Sequence, residues 1–218
     1  AQIRAYKPQS SSLGCGQVLP CPYTADKARI VVQEMIDGIS LELVEKRLVT
    51  DQLVLTVGYD IENLPRPEIR KVYKGPVTTD RYGRRVPKHA HGTWNLPRAT
   101  SSSSELLEAM AALYDKIVNP ALLIRRMSLS ACHVVNEKMA KEREQKETFE
   151  QLDLFTDYAK KEAKEKEEQK KRERERRMQE ALLTIKKKYG KNAVLRGMNF
   201  EEGATAKERN GQIGGHQA

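Results

Sequence analysis

Gln151-Leu152-Asp153-Leu154-Phe155 stands in a strongly charged stretch that runs from about Glu137 to Arg177. Leu152, Leu154 and Phe155 have too few apolar neighbours there to bury themselves in a local core. Large side chains left in water mark a surface meant for a partner. A short, extended, apolar-ended peptide on a solvated tether is a docking motif; one turn of amphipathic helix folding back on the body would use the same residues. A second chemistry lies between Arg66 and Arg98, where nine basic residues face only two acidic ones, Glu68 and Asp80. That excess points to a polyanion, most simply nucleic acid, or else to a well-solvated surface hairpin. Arg81, Arg84, Arg85 and Lys88 are the first candidates for phosphate contact, and Lys71 and Lys74 the second. His89 and His91 alternate and so share one strand face, with Cys132-His133 further along the chain. No CxxC or HxxxH spacing accompanies them, so phosphate contact or polar packing is expected there rather than a metal. Trp94, beside apolar Leu96, reads as partial core rather than as a stacking platform.

The elements that position these residues must come from a modest core. Of 218 residues, 39% are hydrophobic and 32% charged, with a formal net charge of +9, which suggests one domain carrying long polar segments. Up to Val135 there are 18 Lys+Arg against 13 Asp+Glu, and beyond it 21 against 17, so neither half alone holds the excess. Cys15, Cys21 and Cys132 are odd in number and scattered, which is no disulfide framework and implies a reducing, cytoplasmic setting. No apolar run approaches membrane-spanning length and no signal peptide is visible. A chain that begins at Ala1 without an initiator methionine is expected to be a piece of something larger.

Residues 1–9 read as a linker, and Ser10 to Leu19 as an irregular first strand that Pro20 and Pro22 stop. Ala28, Val32, Met35, Ile39 and Leu43 form one stripe of a helix over Ala25 to Lys46, with Thr24 as its cap. Leu53, Leu55, Val57 and Tyr59 alternate with Val54 and Thr56 in a strand from Asp51 to Tyr59. Asn63 to Pro67 breaks it, and Lys71 to Val86 is a hairpin or extended loop. His89 to Leu96 is the next strand. Ser102-Ser103-Ser104-Glu105 is a capping box that opens a helix with Leu106, Met110, Leu113 and Ile117 buried, ended by Pro120. Leu122 to Val135 is a last strand, with Met127, Leu129 and Ala131 on one face and Arg126, Ser128 and Ser130 on the other.

The expected class is therefore α+β: a β-α-β-β-α-β domain over 10–135, with two helices on one face of a four-stranded, antiparallel-rich sheet. Residues 136–158 are expected to be a tether carrying the docking motif. Residues 159–190 should form a charged helix, of which Lys160 to Arg177 is a solvated spacer held by i,i+4 pairs. Met178, Leu182, Ile185 and Tyr189 make a narrow stripe that wants the body or another chain. Residues 191–218 are expected to be a flexible tail.

With these residues assembled, the chain resembles the C-terminal half of a Y-family translesion DNA polymerase of the UmuC-like (ImpB/MucB/SamB) kind found in Gram-positive bacteria. Ala5-Tyr6-Lys7-Pro8 looks like the linker between thumb and little finger. Ser11 to Leu19 looks like the first little-finger strand, Leu48 to Gln52 with Val57 to Asp60 the second, and Lys88 to Thr93 the third. Arg125-Arg126 looks like the opening of the fourth. Gln151-Leu152-Asp153-Leu154-Phe155 is similar to the Gln-Leu-Ser/Asp-Leu-Phe pentapeptide by which bacterial polymerases and repair proteins bind the replicative sliding clamp. Lys186 to Gly190 and Arg209 to His216 also resemble this subgroup.

The resemblance implies a little finger domain that lies along the DNA groove and grips phosphate, in DNA repair, damage tolerance and the SOS response. Its expected DNA contacts are Lys7, Ser11, Ser12, Arg81, Arg84, Arg85, Lys88, His89, Arg126 and Ser128. Its expected clamp contacts are Gln151, Leu152, Asp153, Leu154 and Phe155. The partners implied are DNA, the sliding clamp and the missing catalytic half, with no membrane. The family's palm holds magnesium with a Ser-x-Asp-Glu stretch and an N-terminal Asp; neither is present in these 218 residues. No cofactor and no catalytic residue is therefore expected in this chain, and it should not polymerise alone. The other expectation is a free-standing nucleic-acid-binding or oligomerising interaction protein.

Overall fold

The computed structural model describes residues 11–147, 158–213 and 216–217. Four long strands, β1 (Leu13–Tyr23), β2 (Leu48–Tyr59), β5 (Ala90–Thr100) and β6 (Ile124–Cys132), form an antiparallel sheet in the order β1-β6-β2-β5. Helices α1 (Ala25–Lys46) and α3 (Ser103–Ile117) cover one face. The architecture is α+β, with an antiparallel sheet and several helices.

Alternation in the strands decides which face is covered. Leu53, Leu55 and Val57 of β2 and Met127, Leu129 and Ala131 of β6 point inward and are buried. They meet Val32, Met35, Ile36, Ile39 and Leu43 of α1 and Leu106, Met110 and Leu113 of α3. Each fully buried leucine contributes roughly 1.5–3 kcal/mol, so this layer carries the stability of the sheet. Thr24 occupies the cap position of α1, but its side chain makes no capping bond. Ser102 does cap α3, accepting from the Glu105 amide at 3.2 Å.

The first strand differs from its sequence reading: β1 continues through Pro20 and Pro22 to Tyr23. It lies at the sheet edge, where only one side is bonded, and its register to β6 shifts between Val18 and Tyr23. An edge tolerates residues that lack an N–H. The last strand is shorter than expected. It ends at Cys132, where His133 takes a φ of 52°, and the chain re-pairs with β2 through β7 (Val135–Asn136).

Between β2 and β5 the chain forms the short α2 (Pro67–Val72) and a hairpin of β3 (Val77–Thr79) and β4 (Arg85–Pro87). Its tip is held by Asp80, whose carboxylate accepts from the Tyr82 and Arg84 amides at 2.8 and 2.9 Å and from Arg84 Nε at 2.8 Å. Gly83 supplies the φ of 78° that this turn requires.

Beyond the sheet come α4 (Glu137–Glu147) and α5 (Tyr158–Tyr189). The C-terminal part of α5 is not a free spacer. Glu175 accepts from the Ser102 hydroxyl and the Ser104 amide at 2.7 and 2.8 Å, placing a carboxylate at the start of α3. Arg176 reaches Ser101 Oγ and Glu137, and buried Gln179 donates to Ser101 O and Ser103 Oγ at 3.0 and 2.8 Å. This attachment is polar, so apolar periodicity could not reveal it. The expected stripe is turned the other way: Met178, Ile185 and Tyr189 are exposed.

A flexible tail was expected from residue 191, yet the described residues there lie against α1. Glu34, only 6% exposed, accepts from the Thr205 amide at 2.8 Å, the Ala206 amide at 3.0 Å, Thr205 Oγ1 at 3.2 Å and Asn199 Nδ2 at 2.8 Å. Arg209 donates to Gln17 Oε1 at 2.9 Å and Arg196 pairs with Asp37 at 2.7 Å. Burial raises the Asp37 carboxyl above its ordinary range, and Arg196 opposes that shift. Helix α6 (Ala206–Arg209) begins on the Glu34 carboxylate.

Candidate functional site

The face of the sheet that the helices leave uncovered has a uniform chemistry. Strand register lines up Gly16, Ser128, Thr56 and His91 in one row across all four strands. Gly14, Ser130, Val54 and Thr93 make the next row, and Val18, Arg126 and Gly58 lie on the other side of the first. Gln52 and Asn95 pair further along, the Gln52 amide donating to Asn95 Oδ1 at 2.9 Å. The four long strands contain one acidic residue, Asp51, and it faces His133, whose Nδ1 lies 2.9 Å from its carboxylate. Hydroxyls, amides and a guanidinium on a broad, carboxylate-poor surface match the donors that phosphate oxygens accept.

Glycine shapes this surface at one point. A Cβ on Gly58 would stand 2.6 Å from Arg126 Cγ and 2.7 Å from its Nε, so the Arg126 side chain lies across the neighbouring strand where Gly58 leaves room. Gly58→Ala is expected to swing Arg126 off this resting place. Because a long exposed side chain can move, the melting temperature should stay within about 2 °C. Affinity for DNA should fall by about threefold to tenfold, read by fluorescence anisotropy. An unchanged affinity would show that Arg126 makes no contact from this position.

The hairpin tip supplies the second cationic group. Arg81 and Arg84 sit 5.5 and 5.0 Å from the centroid of the exposed Tyr82 ring. Backbone donation from Arg84, followed by its side chain and the Tyr82 amide, holds the Asp80 carboxyl below the usual carboxylate range. A depressed carboxyl supports the fold above its unfolded pKa and loses that support as pH falls through the folded value. The tip therefore keeps its shape throughout the neutral range.

Of the residues expected to touch DNA, Arg126 and Ser128 fall on the uncovered face, and exposed His89 immediately precedes β5. Ser11 and Ser12 are exposed ahead of β1, where Ser11 O accepts from the Val134 amide at 3.0 Å. Arg81, Arg84, Arg85 and Lys88 gather on the hairpin and its exit, with Arg84 already paired to Asp80. Lys7 and the Gln151, Leu152, Asp153, Leu154 and Phe155 motif lie outside the described residues. Sequence reasoning passed over Thr56, His91, Thr93, Gln52 and Asn95, although the same alternation that placed Leu53 and Leu55 inside puts the intervening residues on this face. His91 Nδ1 lies 2.9 Å from Thr56 Oγ1, so His91 and His133 each have a separate neighbour. Among the described residues, no three of His, Cys, Asp and Glu gather as a metal-holding cluster. Among them, too, no helix is long and apolar enough to cross a membrane.

No protein-family model matches the chain, and no curated protein matches it. Among solved structures it is similar to a chain described as "Complex of beta-clamp processivity factor and little finger domain of PolIV", at 9% sequence identity and a TM-score of 0.37. That match covers 67% of this chain and 100% of the other.

Proposed function

We propose that this chain is the DNA-gripping and clamp-docking portion of a Y-family translesion polymerase, in which the α+β unit serves as the little finger domain. The observation that carries the reading is the uncovered sheet face, polar in every row, with Arg126 at its centre and a cationic hairpin beside it. Such a face binds phosphate without reading base edges, which suits an enzyme that must hold distorted templates. The Gln151–Phe155 pentapeptide supports docking on a replicative sliding clamp. Catalysis, with the magnesium it requires, belongs to a palm domain that these residues do not supply, and the setting is cytoplasmic DNA repair.

The test is DNA binding by the intact chain as salt is raised. Each phosphate neutralised by Lys or Arg contributes about 0.9 to the slope of log affinity against log salt. An Arg81→Ala/Arg85→Ala/Arg126→Ala chain is expected to bind all duplex sequences more weakly and to lower that slope by about three. A chain that fails to bind DNA at low salt, or a triple variant whose slope is unchanged, would remove the sheet and hairpin as the interface.

A further inference from the structure

Helix α5 has two faces, and the body takes the polar one. Arg172, Glu175, Arg176, Gln179 and Lys187 turn toward the sheet domain, where they meet Glu105, Ser104, Glu137, Ser103 and Glu45. On the opposite side Met178 is 55% exposed, Ile185 36% and Tyr189 67%, with half-buried Leu182 between them. Their spacing of four, three and four residues forms a continuous strip along one side of the helix. Three large apolar side chains in a row on a well-anchored helix are not the scattered singles of an ordinary surface.

The flank of this strip is basic. Lys171, Arg174, Arg177 and Lys188 are all exposed there. Among the described residues neither Arg174 nor Arg177 meets a carboxylate, while the Lys188 ammonium rests 5.1 Å from the Tyr189 ring centroid. The nearby acids are engaged elsewhere on the helix: Glu180 accepts from Arg176 and Glu173 from Gln169.

We propose that this strip is the docking site for an acidic amphipathic helix of a partner protein. Such a helix would cover Met178, Ile185 and Tyr189 with its own apolar stripe and set carboxylates against Arg174, Arg177 and Lys188. Three other occupants fit less well. A second copy, in either direction, would bring the same basic flanks together, which is repulsive. The chain's own apolar segment before α5 cannot reach: Ile185 stands about 40 Å along the helix from Tyr158. Phe155 is three residues from Tyr158, a span of about 10 Å when fully extended. DNA phosphates would satisfy the cations but leave three large apolar side chains in water.

The experiment titrates the full chain with a synthetic amphipathic helix of about twenty residues, long enough to hold a helix on a surface. One peptide flanks its leucine stripe with glutamates and a second flanks the same stripe with lysines. The glutamate peptide is expected to bind, and to bind about tenfold more weakly to Met178→Ser/Ile185→Ser. An Arg174→Glu/Arg177→Glu chain is expected to reverse the preference in favour of the lysine peptide. All these substitutions fall on exposed positions, so circular dichroism should be unchanged. No binding of the glutamate peptide, or equal binding of the two peptides, overturns the proposal. So does a dimer in sedimentation that Met178→Ser/Ile185→Ser disperses, since the occupant is then a second copy. Weakened DNA binding by Arg174→Glu/Arg177→Glu with peptide binding untouched would assign the face to nucleic acid and overturn it as well.

Discussion

A Leu154→Ala/Phe155→Ala chain is expected to lose binding to a purified Gram-positive sliding clamp, with affinity falling by about a hundredfold or more. The magnitude follows from how such contacts divide their energy. In a short docking peptide a few large apolar anchors supply most of the binding, and removing one commonly costs 2 kcal/mol or more. Removing two adjacent anchors leaves Gln151 and Asp153, whose polar contacts set position rather than affinity. The described elements on either side support a modest intrinsic affinity as sufficient: α4 ends at Glu147 and α5 starts at Tyr158, and α5 is fastened to the domain through Glu175, Arg176 and Gln179. Joining a weak clamp contact to a DNA contact multiplies their effect without any new interaction. Surface plasmon resonance on immobilised clamp would read the result directly. Equal binding by the intact and doubly substituted chains would end the docking proposal while leaving the DNA face untouched.

Substituting Glu34 by Ala is expected to release the C-terminal strap from α1 while the sheet domain stays folded. One buried carboxylate holds the Thr205 and Ala206 amides, the Thr205 hydroxyl and the Asn199 amide. Hydrogen bonds to a charged group contribute about 1.5–3 kcal/mol each, and the donors left behind would be buried without partners. A loss on the order of 3–5 kcal/mol exceeds what a segment of this size retains by its remaining contacts. The core of Leu53, Leu55 and Leu129 contains none of these atoms, so the main melting transition should move little. Hydrogen exchange should show the Thr205 and Ala206 amides exchanging at least about a hundredfold faster, with β2 and β6 protected as before. Retained protection at Thr205 would mean that the strap is held by something other than Glu34. Glu34→Gln should fall between the two, since an amide keeps one acceptor oxygen.

Much of the sheet domain was legible because its residues obey simple periods. Leu53, Leu55, Val57 and Tyr59 alternate, and Ala28, Val32, Met35, Ile39 and Leu43 recur at helical spacing, so burial follows from type and position alone. Pro20 and Pro22 misled because their effect depends on whether a strand is central or at an edge, which one strand's sequence does not state. The strap was illegible for a different reason. Glu34, Gln179, Asn199 and Thr205 hold it through polar groups far apart in sequence, and such contacts leave no hydrophobic pattern. Glu34 even sits within an apolar helix stripe, where a carboxylate reads as a solvent-side residue. The binding face was half legible: Arg126 and Ser128 were assigned, but the row that joins them to Thr56 and His91 exists only once the strand register is known.

The prolines at the sheet margins have one more consequence. β1 and β5 are the two outermost strands, and they carry Pro20 and Pro22 on one side and Pro97 on the other. A neighbouring molecule that tried to extend the sheet would find gaps in the ladder of amide donors at both margins. Molecules crowded shoulder to shoulder on one stretch of DNA would therefore remain separable, free to leave one at a time rather than knitting into a filament.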